Sequence, residues 1–131
     1  MKGYTLGNGR NYTRSYDLDG RIASYNLGTQ SFALGYDAAS RISFITDTAN
    51  AANTNTYSYD NLDRLTGAAL PNLPFAYGYD AVGNRTSKTV GGATETYAYG
   101  ATSNRIASIT AQASGTRAYS FDPNGSTTND G

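Results

Sequence analysis

Apolar and polar residues alternate along short stretches of the chain instead of recurring every three or four positions. Phe75, Tyr77 and Tyr79 are separated by single small residues, and the pairs Tyr57/Tyr59, Tyr97/Tyr99 and Tyr119/Phe121 have the same spacing. Side chains of a strand point to opposite faces in turn, so each stretch reads as a strand with its rings on one face. No segment carries a convincing helical period; Leu62 to Leu70 comes nearest, and Gly67 interrupts it. The pattern predicts an all-β chain of about a dozen short antiparallel strands in sequential order.

Between the strands a phrase recurs. Tyr16-Asp17, Tyr36-Asp37, Tyr59-Asp60, Tyr79-Asp80, Tyr99-Gly100 and Phe121-Asp122 place their aromatics 20, 23, 20, 20 and 22 residues apart. Two variable residues follow, then Gly20, Ser40, Asp63, Gly83 or Gly125, and usually a basic residue and an aliphatic one, as in Arg21-Ile22, Arg41-Ile42 and Arg64-Leu65; the fourth copy carries Arg85, and the fifth reaches Arg105-Ile106 with one extra residue. Asp at the first position of a type I turn accepts hydrogen bonds from amides inside it, and Gly supplies the positive φ of a bulged hairpin loop. Ser40 and Asp63 hold that position at some strain. A three-residue loop sets Asp17 opposite Arg21 and Tyr16 opposite Ile22, and likewise Asp60 opposite Arg64 and Tyr59 opposite Leu65. Such pairs contribute about 0.2–1 kcal/mol each, so they fix register more than they stabilise.

A period near twenty residues means one supersecondary unit per repeat. The chain reads as a single array of about six hairpins, two strands each, near 12–26, 32–46, 57–69, 75–90, 95–111 and 117–131. Residues 1–11 read as the tail of an earlier unit. Reversals fall at Leu27–Gln30 and Val90–Ala93, the longest loop at Asp47–Asn55, and Leu70–Pro74, with two prolines that cannot donate ladder bonds, reads as a connector or edge. Ile42, Phe44 and Ile45 are expected to supply apolar contacts. The array ends in the middle of a unit and reads as cut from something longer. A wide sheet of twisted strands is expected to coil or spiral.

Composition narrows the function. Twelve Tyr and four Phe supply much of the apolar material in a chain of 131 residues, with no Trp, His or Cys. Ten Lys plus Arg balance ten Asp plus Glu, which gives no field for capturing nucleic acid or an acidic membrane surface. No run approaches membrane-spanning length and the first residues contain no apolar signal core, so any export signal is expected outside this chain.

The phrases Tyr59-Asp60-Asn61-Leu62-Asp63-Arg64-Leu65-Thr66, Tyr79-Asp80-Ala81-Val82-Gly83-Asn84-Arg85-Thr86-Ser87 and Tyr97-Ala98-Tyr99-Gly100-Ala101-Thr102-Ser103-Asn104-Arg105-Ile106 resemble the tyrosine-aspartate (YD) repeats of the Rhs family. The resemblance covers nearly the whole chain. It implies a large bacterial secreted or cell-surface protein, with relatives in insecticidal toxin complexes and animal teneurins, whose β-hairpins spiral into a hollow shell that encloses a toxic domain in some members. Six repeats are too few to close such a shell. Asp122-Pro123-Asn124-Gly125 resembles the family's self-cleavage motif, but Ser126 stands where Leu is expected, and those four residues suit an ordinary turn in phase with the others.

The residues that define the repeat are therefore Tyr16, Asp17, Gly20, Arg21, Tyr36, Asp37, Arg41, Tyr57, Tyr59, Asp60, Arg64, Tyr77, Tyr79, Asp80, Gly83, Arg85, Tyr97, Tyr99, Arg105, Tyr119, Phe121, Asp122 and Gly125. The recurring aspartates need no catalytic explanation, since the turn accounts for them. Without His or Cys there is no usual base for a Ser nucleophile, and oxygen ligands show no metal spacing. No catalytic residue, metal or cofactor is expected. Aromatic rows beside Asp and Arg could bind carbohydrate, as an adhesive surface; rings packing a thin sheet with hydroxyls in water is the simpler reading. Open sheet edges could pair with further YD repeats or with other copies of the chain, as a fibre or closed oligomer.

Overall fold

The computed structural model describes residues 2–131, and no helix occurs among them. The chain divides into two compact units, the first running to Pro71 and the second spanning Asn72–Gly131. In the first unit, strands β1 (Lys2–Thr5), β2 (Asn11–Tyr16), β3 (Ile22–Leu27), β4 (Gln30–Tyr36), β5 (Ile42–Asp47), β6 (Thr54–Tyr59) and β7 (Leu65–Leu70) each pair antiparallel with the next. In the second, β8 (Leu73–Tyr79), β9 (Arg85–Val90), β10 (Ala93–Tyr99), β11 (Ile106–Ala111) and β12 (Gly115–Ala118) do the same. The strands β13 (Ser120–Phe121) and β14 (Thr127–Asn129) form a separate two-stranded ribbon. The sheets of consecutive hairpins, two strands per repeat, are those the alternation predicts.

The turn chemistry sets the register. Gly20, Gly83 and Gly125 have φ of 78°, 98° and 89°, and Ser40 and Asp63 adopt 63° and 61° at the same position. Just past the turn the returning strand carries one extra residue, Ala23, Ser43, Thr66 or Thr86, so these hairpins each have a bulge beside the turn. The shifts fall at Ser15/Tyr16, Gly35/Tyr36, Ser58/Tyr59 and Gly78/Tyr79. A Cβ at Gly20 would meet nothing within 4 Å, so Gly20→Ala suffers only the conformational penalty of an L-residue at positive φ. It is expected to destabilise the chain by about 1 kcal/mol, read from the urea midpoint.

The bulge also sorts the side chains. In the first unit Tyr16 pairs Ile22, Tyr25 pairs Phe32, Tyr36 pairs Ile42 and Leu34 pairs Ile45, which gathers the aromatic and aliphatic residues on one face. Small and hydroxyl residues take the other. There Ser15 and Ser24 lie 2.6 Å apart through their hydroxyls, as do Thr46 and Thr54, and in the second unit Thr89–Thr94 and Thr110–Thr116 repeat the contact at 2.8 Å. Neither face is covered: among the described residues Ala68 alone counts as a buried apolar side chain.

Several expectations need correcting. Phe44 pairs Gly35 across the bulge, so its ring lies on the small-residue face, over a position where a Cβ would collide with it, apart from Ile42 and Ile45. Leu70–Pro74 is no long connector: Pro71-Asn72 is a two-residue turn, and Leu73 and Pro74 already belong to β8. The strand expected over 117–121 breaks at Tyr119, between β12 and β13.

Candidate functional site

The repeated turn builds one constellation several times over. Asp17 Oδ1 accepts from the amides of Asp19 (3.0 Å) and Arg21 (2.8 Å), while its Oδ2 receives the Arg21 Nε–H at 2.8 Å. Asp37 holds Ala39, Arg41 and the Arg41 Nε in the same way at 3.0, 2.9 and 2.7 Å. Asp60 holds Leu62, Arg64 and the Arg64 Nε at 2.9, 3.0 and 2.7 Å. A carboxylate at this position satisfies amides that the turn turns away from the ladder, and its second oxygen meets the guanidinium in a charge-assisted bond.

Arg21 and Arg41 then reach the next repeat. Arg21 donates from Nη1 to Ser40 Oγ at 2.8 Å, and Arg41 donates from Nη1 to Asp63 Oδ1 at 2.7 Å and to the Asp60 carbonyl at 2.9 Å. The Tyr36 ring lies under the Arg21 guanidinium at 4.6 Å, and Tyr59 under that of Arg41 at 4.8 Å. Their hydroxyls donate to the carbonyls of Ile22 and Ile42, both at 2.9 Å. The unit of construction is thus a rung: Asp and Arg of one hairpin, Tyr of the following one. Sequence spacing finds the Asp–Arg half because it is local. The Arg–Tyr half joins residues fifteen or more positions apart and has no local signal.

The second unit varies the theme. Asn84, not Arg85, faces Asp80, donating from its amide at 2.8 Å and from Nδ2 at 2.9 Å, while Nδ2 also reaches Asn104 Oδ1 at 3.0 Å. Arg85 pairs Tyr79, the place Ile22 and Ile42 occupy elsewhere. Its guanidinium sits over Tyr97 at 4.6 Å and donates to the Tyr97 hydroxyl at 3.1 Å, which in turn donates to Glu95 Oε2 at 2.7 Å. Tyr99 donates to the Arg85 carbonyl at 2.8 Å. In the fifth copy Gly100 replaces the carboxylate, and Arg105 lies over Phe121 at 5.5 Å, a ring without a hydroxyl to donate. The Asp122 carboxylate accepts from the Ser126 amide at 2.8 Å, and a Cβ on Gly125 would crowd Arg105.

Tyr57 lines a shallow apolar groove of about 310 Å³ with Ile42, Ile45, Tyr59 and Leu65. Tyr77 stacks on Phe75 with ring centroids 6.4 Å apart, and Tyr119 lies 6.0 Å from the Arg117 guanidinium. No group of three or more His, Cys, Asp or Glu able to hold a metal occurs among the described residues.

Burial alone would raise the Asp17, Asp60 and Asp80 carboxyls, but the side-chain and amide donors outweigh it and hold them below the ordinary carboxylate value. For Asp37 the Arg41 amide bond leads, and for Glu95 the Tyr97 hydroxyl, each lowering the group. A lowered folded-state pKa contributes stability that is present above the ordinary value and is lost as pH falls through the lowered one. The urea midpoint is therefore expected to be level from pH 7 to about 5 and to fall below about pH 4, with Asp60→Asn flattening the fall. An equal midpoint at pH 3 and pH 7 would remove the carboxylates from the account.

No family model matches the chain, and no curated protein does. Solved structures do. A Tc holotoxin pore from Photorhabdus luminescens carrying a TccC3 mutation aligns over 96% of this chain with a TM-score of 0.75 at 20% identity. Two crystal structures containing TcdB2 and TccC3 align over 92% and 96% of it, with TM-scores of 0.71 and 0.67 at 20% and 16% identity. The chain spans only 8–9% of the length of those chains. At these identities the likeness establishes a shared fold.

Proposed function

We propose that the chain is a non-catalytic wall segment of a YD-repeat shell, part of a large secreted or cell-surface bacterial protein. The observation that carries this reading is the rung. In the rungs of Arg21 and Arg41 the carboxylate bonds its own turn, the guanidinium the following hairpin and the phenol hydroxyl a carbonyl of the preceding one. The groups that would do chemistry or hold a ligand there are thus engaged in the wall. Such a segment adds wall by adding rungs, and the fold shared with a small part of Tc toxin chains supports that use. The carbohydrate reading is weaker, because the rings of Tyr36 and Tyr59 are each capped on one face by an arginine.

Further repeats join through the strand edges. Among the described residues β1 pairs only with β2, and β14 only with β13, so both present backbone groups to an incoming strand. Nearest-neighbour stability in repeat arrays rises with length. Tandem fusions of one, two and four copies, compared by electron microscopy and urea unfolding, test the reading: a continuous strip that lengthens and stabilises with copy number is expected. Separate beads with the single-copy midpoint would refute it.

A further inference from the structure

A sheet with an apolar face must bury that face against another layer, and among the described residues no helix supplies one. The exposed area measures the deficit. A compact monomer of 13.9 kDa exposes about 6,700 Å², whereas this chain exposes 8578 Å². The surplus of about 1,900 Å² is shared by both units and both faces of their sheets, and the aromatic face of the first unit holds one part of it.

The first unit carries a row that fits itself. Across β2, β3, β4 and β5 the register sets Arg14 beside Tyr25, Tyr25 beside Phe32 and Phe32 beside Asp47. The two central rings stack at 5.1 Å and 28°, with a cation at one end and an anion at the other, about 14 Å apart by strand spacing. Arg14 lies over the Tyr12 ring at 5.5 Å. Asp47 Oδ1 accepts from the Ala49 amide at 2.9 Å. Neither forms an ion pair among the described residues.

We propose that the aromatic face of the first unit packs on the same face of a second copy, as a two-sheet sandwich. The two-fold axis runs along the strands between β3 and β4. That operation exchanges the ends of the row, so Arg14 of each copy meets Asp47 of the other while Tyr25 of each meets Phe32 of the other. Facing sheets lie about 10 Å apart, a gap that a guanidinium and a carboxylate reaching from opposite strands can bridge. A two-fold contact must be self-complementary in this way.

The test is a charge swap read by sedimentation of the purified chain. Wild type is expected at twice 13.9 kDa. Arg14→Glu alone sets acid against acid and Asp47→Lys alone sets base against base, each raising the dimer dissociation constant at least about tenfold. An equimolar mixture of the two variants re-forms a dimer, since every cross-copy contact is again between opposite charges. Circular dichroism of each variant establishes that it is folded, and the mixture cannot rescue an unfolded chain. A monomer at high concentration overturns the proposal, as does association indifferent to both reversals, or a mixture no more dimeric than its components. Growth beyond two copies that ignores the reversals would assign the contact to the strand edges and reject the face.

Discussion

Tyr59→Ala is expected to lower the unfolding free energy by about 3 kcal/mol, and Tyr59→Phe by about 1 kcal/mol. The ring has three attachments. It covers the Arg41 guanidinium at 4.8 Å, donates its hydroxyl to the Ile42 carbonyl at 2.9 Å, and forms one wall of the groove with Ile42, Ile45, Tyr57 and Leu65. Phe keeps the first and third and loses the second, leaving a partly buried carbonyl with one acceptor site fewer used. Ala loses all three, and the hairpins on either side are left joined by ladder bonds, the Arg41 contacts and the Thr46–Thr54 hydroxyl pair. Urea unfolding of both variants gives the two differences. If Tyr59→Ala lies within about 0.5 kcal/mol of wild type, the tyrosine is an ornament on the sheet and the rung account fails.

Ala33→Pro is expected to destabilise by about 3 kcal/mol or more. β4 has a strand on each side, and Ala33 pairs Ser24 in β3 and Thr46 in β5. Its amide therefore serves one ladder or the other, and proline both removes that donor and forces its ring against a neighbouring strand. A domain of this size has only about 5–15 kcal/mol in total, so a large fraction of stability disappears with one donor. The midpoint in urea checks this. An unchanged midpoint would mean that β4 is not flanked on both sides.

The hairpins, their turns and the pairing of Asp17 with Arg21 were legible in the sequence because each depends on residues within four positions of one another. So was the strain at Ser40 and Asp63, where the turn requires a positive φ whatever residue is present. The placement of Phe44 opposite Gly35 was not legible, because the bulge shifts parity after the turn and simple alternation cannot be carried through it. Arg85 misled in a related way: the fourth copy reads Gly83-Asn84-Arg85, and counting from Asp80 gives the carboxylate to Asn84 and sends Arg85 to the aliphatic place beside Tyr79. The hydroxyl face and the Arg–Tyr contacts between repeats were invisible because both depend on which strands become neighbours. The separate two-stranded ribbon of the last hairpin was likewise not legible, although Ser126 in place of the basic residue and Phe121 without a hydroxyl mark that copy as different.

Amide hydrogen exchange at the repeated turns tests the rung most directly. The amides of Asp17, Asp37, Asp60 and Asp80 each donate to the carbonyl four residues on, at 2.9, 2.9, 3.0 and 2.9 Å, and those of Asp19, Ala39, Leu62 and Val82 donate to a carboxylate. All eight are expected to exchange slowly at neutral pH, and the second set to lose its protection as the carboxylates protonate below about pH 4. Exchange of both sets at the rate of an unstructured peptide at neutral pH would contradict the account.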